Sequence, residues 1–154
     1  MKSSNLGPHR TRVLVVEDNP VDVHMLNYAF EEQNTWPVET TVAQDGETAI
    51  NLLRKASSSG VGKPDFIILD LNLPKRDGTE VLQTIRATRE LRQVPVAVLS
   101  SSPRDVIHGK LSEAEVTANG YFTKPMDVDE FIALAEKLRL CYEMNCCAES
   151  KTRS

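Results

Sequence analysis

Three carboxylates, one hydroxyl and one lysine each close a short apolar run. VLVV leads into Glu17 and Asp18, FIIL into Asp70, VAVL into Ser100 and GYFT into Lys124. A lone carboxylate at the end of a run that reads as buried is costly to desolvate, so it must be paired or put to use. Three clustered carboxylates repel one another, and the usual remedies are a bound cation or a raised pKa. An all-oxygen donor set with no histidine or cysteine beside it selects a hard ion, Mg2+ before zinc, with Mn2+ able to substitute. Mg2+ keeps water and phosphate oxygens among its ligands, so such a site would accept a phosphoryl group. Lys124 and the Ser100 hydroxyl could then bind phosphoryl oxygens on the side away from the metal.

These residues need a frame, and the chain alternates two kinds of element. Val13 to Asp18 reads as a buried strand. Asn19-Pro20-Val21-Asp22 starts a helix, with Asn19 as cap, Pro20 first and Asp22 favouring the dipole. Met25, Leu26, Ala29 and Phe30 give that helix its buried stripe. Val38 to Ala43 reads as a strand and Asp45-Gly46 as a turn. A helix follows with Ala49, Ile50, Leu53 and Ala56 inward, ending in the loop Ser57 to Gly62. Phe66 to Leu69 is a strand, and Leu73-Pro74-Lys75-Arg76-Asp77-Gly78 a turn. Thr79 to Arg89 is a helix on Val81, Leu82 and Ile85. Val94 to Leu99 is a strand, with Pro95 near its start. Asp105 to Val116 reads as a helix interrupted at Gly109, restarting at the capping-box pattern Ser112 to Glu115. Gly120 to Thr123 is the fifth strand. Asp127 to Met144 is the fifth helix, with Val128, Phe131, Ala135, Leu138 and Tyr142 on one stripe. Five strands alternating with five helices imply an α/β doubly wound, flavodoxin-like parallel sheet. If its order is 2-1-3-4-5, ligands bind at the carboxyl ends of strands one and three. Those ends carry Glu17, Asp18 and Asp70.

Bulk properties narrow the setting. At 154 residues the chain fits one domain with a real core, and a net charge of −4 gives no sign of a nucleic-acid-binding surface. MKSSNLGPHRTR has no apolar h-region, and no apolar run approaches membrane-spanning length. Cys141, Cys146 and Cys147 offer no disulfide framework, which suits a reducing cytoplasm. There is neither GxGxxG nor GxxxxGK[ST]. His9, His24 and His108 lack metal-ligand spacing and read as solvated, and Cys146-Cys147 as exposed thiols.

VLVVEDNP, FIILDLNLPKRDG, VAVLSSS and GYFTKP, in that order, resemble a response-regulator receiver domain over roughly Arg12 to Met144. The form EDNP…LDLNLPKRDG with a long final helix is most similar to single-domain regulators associated with bacterial phytochromes. The resemblance implies that Asp70 is a phosphoacceptor for the phosphohistidine of a sensor histidine kinase, with bacterial phytochromes as candidate kinases. It implies side-chain binding of Mg2+ by Asp18 and Asp70, binding through water by Glu17, and a backbone carbonyl from Asn72. Lys124 would pair with the phosphoryl group. Ser100 would bond it and move toward it while Tyr121 turns inward. Asn72 and Ser102 would flank the route of attacking water, and the Lys124–Pro125 bond would often be cis. Glu17 stands where aspartate is frequent, and Ser100 where threonine is commoner. Such a domain catalyses only its own phosphorylation and dephosphorylation. Its output is a population shift on the surface of helix 4, strand 5 and helix 5, controlling partner binding or relay.

Two other readings compete. An aspartyl-phosphate phosphatase expects an acid two residues after the nucleophile, where Asn72 stands, and its nucleophile on an early strand. An unphosphorylated interaction module on the same fold would usually lack some of the acids, Ser100 or Lys124. Residues 1–11 and 145–154 read as tails flanking a domain over 12–144. With no output domain following, signalling would go by direct contact, relay or phosphate sink to an unidentified downstream protein. A homodimer contact through Leu134, Leu138, Cys141 and Tyr142 is the remaining expectation.

Overall fold

The computed structural model describes residues 10–73 and 77–153, and side chains among these as far as Asn145. Its elements are β1 (Thr11–Val16), α1 (Pro20–Gln33), β2 (Val38–Ala43), α2 (Gly46–Ser59), β3 (Phe66–Leu69), α3 (Gly78–Ala87), β4 (Val96–Ser100), α4 (Arg104–Ala114), β5 (Gly120–Thr123) and α5 (Val128–Arg153). The strands form one parallel sheet in the order β2-β1-β3-β4-β5. The expected doubly wound, flavodoxin-like architecture is the one observed.

Central strands buried on both faces explain their unbroken apolar runs. Successive side chains point to opposite faces, so each strand feeds two cores. Leu14, Val16, Ile67, Leu69, Val96 and Val98 pack with the buried residues of α2, α3 and α4. Val13, Val15, Phe66, Ile68, Ala97 and Leu99 pack with those of α1 and α5. Each fully buried Val, Leu, Ile or Phe contributes about 1.5–3 kcal/mol. Trp36 locks the far end of the second core. Its ring lies 5.6 Å from Phe30, 6.0 Å from Phe66 and 5.8 Å from Tyr142, and its indole N–H donates to Thr11 Oγ1 at 3.0 Å.

Several expectations are corrected. Asp45 and Gly46 are not a free turn: the Asp45 carboxylate caps α2, accepting from Thr48 N at 2.7 Å. The fourth helix runs through Gly109 without a break, because one glycine costs only about 1 kcal/mol relative to alanine and buried Ile107 and Leu111 anchor both sides. No helix restarts at Ser112; Glu115, at φ 59°, ends α4 in the left-handed conformation. The last helix continues past Met144, since NCCAESKTR holds neither glycine nor proline to stop it. Val128 opens that helix exposed, outside its buried stripe. Leu134, Leu138 and Cys141 are buried in the chain's own core, so these three side chains are not exposed for the expected dimer contact, while Tyr142 is half-buried and packed against that core. All described peptide bonds, Lys124–Pro125 included, are trans, the form that even proline prefers. Pro74, Lys75 and Arg76, most of residues 1–11 including His9, the side chains of Cys146 and Cys147, and Ser154 lie outside the described residues. Among the described residues no helix is long and apolar enough to cross a membrane.

Candidate functional site

The sheet's carboxyl edge gathers the polar residues because the ladder continues one step past the strands. Glu17 N donates to Ala43 O at 3.0 Å and Asp70 N to Val16 O at 3.0 Å. Lys124 N donates to Ser100 O at 3.0 Å. Backbone pairing therefore aims each side chain before any side-chain contact forms. Behind Asp70, α3 approaches so closely that a Cβ on Gly78 would lie 2.3 Å from the Asp70 carbonyl oxygen. Gly78 N also donates to Leu71 O at 3.0 Å. The β3–α3 approach thus fixes the strand end that carries Asp70.

Glu17, Asp18 and Asp70 each place a carboxylate oxygen within 4.8 Å of the others. Glu17 and Asp70 are buried, at 2% and 4% exposure, while Asp18 faces solvent. The Lys124 ammonium lies among them, 2.9 Å from Glu17 Oε1 and 3.1 Å from Asp70 Oδ2. A third carboxylate, Asp22, meets the same ammonium at 3.1 Å. Sequence reasoning missed Asp22, assigning it only to the helix dipole. The available signal was an acid one helical turn after Asp18, on the helix that the acidic pair leads into.

Three carboxylates on one ammonium, with Asp18 beside two of them, leave more acidic groups than basic ones at the site. Burial pushes Glu17 up to about 7; the hydrogen bond from Lys124 opposes the rise and the nearby Asp70 charge adds to it. Burial works against the charge on Lys124, but hydrogen bonds to Glu17 and Asp70 outweigh it and hold the lysine above its ordinary range. A buried, uncompensated carboxylate is costly. The excess of hard oxygen donors over positive charge therefore fits a divalent ion such as Mg2+ or Mn2+.

The remaining expected residues line the rim. Asn72 N donates to Asp70 Oδ1 at 2.9 Å, and the Asn72 side-chain amide donates to Ser102 Oγ at 3.4 Å. Ser100 is fully buried, and its hydroxyl oxygen accepts from Ser102 N at 3.1 Å. Tyr121 is half-buried. Its hydroxyl accepts from Ala118 N at 3.3 Å, and its ring lies 4.4 Å from that of His108. His108 is exposed, as expected, with its ring set against that of Tyr121.

Comparison with known proteins places this geometry in context. The model of the response regulator receiver domain matches residues 13–136. The chain is 34% identical over 128 residues to the probable methanogenesis regulatory protein FilR2 of Methanothrix harundinacea, covering 82% of this chain and 80% of the relative. It is 30% identical over 125 residues to response regulator Rcp1 of Synechocystis sp., covering 80% of this chain and 83% of the relative. The crystal structure of the Mn(2+)-bound form of Rcp1 superposes with a TM-score of 0.69 at 29% identity, covering 82% and 90% of the two chains. The phosphorylated cyanobacterial phytochrome response regulator RcpA superposes at 0.73 with 32% identity, covering 84% and 91%.

Proposed function

This chain belongs to the response regulator receiver domain family, and on that premise we propose that Asp70 accepts a phosphoryl group from a sensor kinase phosphohistidine. The observation that carries this reading is the Asp70 carboxylate at the end of β3, buried, beside two further acids and 3.1 Å from Lys124. An Asp70 oxygen attacks phosphorus, and the new O–P bond forms as the N–P bond breaks and the imidazole leaves. This transfer needs positioning and charge neutralisation more than proton shuttling. Lys124 takes the charge of the incoming phosphoryl oxygens. The Ser100 hydroxyl, which accepts from Ser102 N–H at 3.1 Å, turns to hydrogen-bond them. Asp18 and Asp70 by side chain, Glu17 through water and Asn72 by its backbone carbonyl would hold Mg2+, with Mn2+ as substitute. When bound, the ion supplies positive charge against the phosphoryl oxygens.

Ser100 and Tyr121 form the switch of this reading. As Ser100 moves toward the phosphoryl group, Tyr121 turns further inward and reshapes the surface of α4, β5 and α5 that meets a downstream partner or relays the group. Asn72 and Ser102, bonded across the mouth, flank the path of hydrolytic water and set the phosphoryl lifetime. The receiver unit spans residues 12–144, works in the cytoplasm, and carries out no chemistry beyond its own phosphorylation and dephosphorylation. RcpA is a cyanobacterial phytochrome response regulator, which makes a bacterial phytochrome the kinase to try first.

The test is intact-protein mass after incubation with acetyl phosphate, with Mg2+ or with EDTA, on wild type and Asp70→Asn. One phosphoryl group on wild type, lost with EDTA and with the substitution, is the expected result. A group that persists on Asp70→Asn would sink the assignment of the acceptor. Failure to label wild type from acetyl phosphate or from a phosphorylated kinase would sink the reading as a whole.

A further inference from the structure

The Lys124 ammonium has three N–H donors. Three carboxylates surround it: Glu17 at 2.9 Å, Asp22 at 3.1 Å and Asp70 at 3.1 Å. Two of these have a second claimant. Glu17 and Asp70 also belong to the trio of carboxylates drawn together within 4.8 Å, the set suited to a divalent ion. Asp22 is outside that trio, and among the described residues its ion pair is with the lysine. Lysine and divalent ion therefore compete for Glu17 and Asp70, and Asp22 is the acceptor left to Lys124 when the ion takes them.

We propose that Asp22 is a positioning residue that retains Lys124 beside Asp70 while the divalent ion loads. The inference rests on the reading of the site given above and adds a residue to it. Asp22 is suited to the task by its place in the fold. It sits in the first turn of α1, whose start is fixed by the Asn19 side chain accepting from Val21 N at 2.9 Å. Its carboxylate is mostly shielded, at 18% side-chain exposure against 15% for Lys124, so the contact is not a loose surface pair. The ammonium can lean on Asp22 as Glu17 and Asp70 turn to the ion. It then remains near Asp70 to receive the phosphoryl oxygens, instead of either blocking the ion or swinging into solvent.

This makes a prediction that a simple loss of negative charge does not. A carboxylate near a cation site raises cation affinity through space whether or not a lysine is present. An anchor for Lys124 adds affinity only when Lys124 is there. The test is a double-mutant cycle on Mn2+ affinity, read by electron paramagnetic resonance of free Mn2+, on the full chain. It uses wild type, Asp22→Ala, Lys124→Met and the double variant, with circular dichroism to check the fold. Asp22→Asn serves as a second, near-isosteric variant, and Asp22→Glu as the rescue. We expect Asp22→Ala to weaken Mn2+ binding about fivefold more with Lys124 present than in the Lys124→Met background, a coupling ordinary for contacting charged groups. Asp22→Glu should restore most of the loss. Equal losses in the two backgrounds would overturn the inference and leave the wider reading intact. No Mn2+ binding by folded wild type would overturn the reading of the site and the inference with it.

Discussion

Replacing Gly78 by alanine tests whether the close approach of α3 to β3 is what aims Asp70. The added Cβ would lie 2.3 Å from the Asp70 carbonyl oxygen and 2.5 Å from Leu71 Cα. Both are backbone atoms, so no flexible side chain can swing aside. Restoring ordinary contact needs a relative shift of about 1 Å between helix and strand. Overpacking of this kind typically costs 1–3 kcal/mol, and about 3 is expected here because both obstacles are backbone. With a urea m-value of about 2 kcal/mol/M, the unfolding midpoint should fall by roughly 1.5 M. The strand end that moves carries Asp70, the proposed phosphoacceptor, and a misplacement of about 1 Å can lower reactivity by about a hundredfold. Phosphorylation by acetyl phosphate should therefore drop in conditions where circular dichroism still shows a folded chain. Gly109→Ala is the control. It lies mid-helix in α4 with nothing within 4 Å of its Cβ, so it should stabilise the chain by about 0.5–1 kcal/mol. A Gly78→Ala midpoint indistinguishable from wild type would refute the steric argument. A large stability loss with an unchanged phosphorylation rate in the folded protein would refute the link to Asp70.

Two further outcomes follow from named contacts. Glu17 stands near 7 in the folded chain against an ordinary 4.5, so the folded state holds the extra proton between those values. Stability from this group is therefore present below about pH 4.5, is lost as pH rises to about 7, and is flat beyond. Without divalent ions, wild type should lose roughly 2 kcal/mol more than Glu17→Gln across that window. Matching urea midpoints for the two proteins at both ends would contradict it. Trp36→Ala removes the ring packed on Phe30, Phe66 and Tyr142 and the bond to Thr11, and should cost about 3–5 kcal/mol by guanidinium unfolding. A loss under about 1 kcal/mol would mean that this corner repacks freely.

Strand identity and order were legible because central parallel strands carry apolar runs with few competing explanations. Phe66–Leu69 and Val38–Ala43 fall where the pattern puts them. The fourth helix was misread because a glycine in a pattern signals weakness but not how much burial on either side offsets it; Ile107 and Leu111 decide that, and their burial is a tertiary fact. The expected dimer residues failed for a related reason. An apolar stripe on a last helix looks the same whether it meets another copy or the chain's own α1, and here it meets the core shared with α1. Glu17, Asp18, Asp70 and Lys124 were legible together because topology brings strand ends together without knowledge of any side-chain geometry.

Asp22 marks the limit of that logic, and shows what lies beyond it. Its contact with Lys124 joins residues 102 positions apart, from a helix start to a strand end, and depends on rotamers that no spacing encodes. On the role proposed for Asp22, the contact bears on the chemistry. With Glu17 and Asp70 alone, the lysine would be held by two of the three carboxylates suited to a divalent ion, so each would oppose the other. A third acceptor on α1 lets both stay, at the cost of adding negative charge to a site already rich in it. That extra charge suits a site whose donor set fits a cation, since a more negative edge strengthens the attraction for it. Like charges held this close work against stability. The large two-sided core beneath it is what makes such a concentration of like charge sustainable.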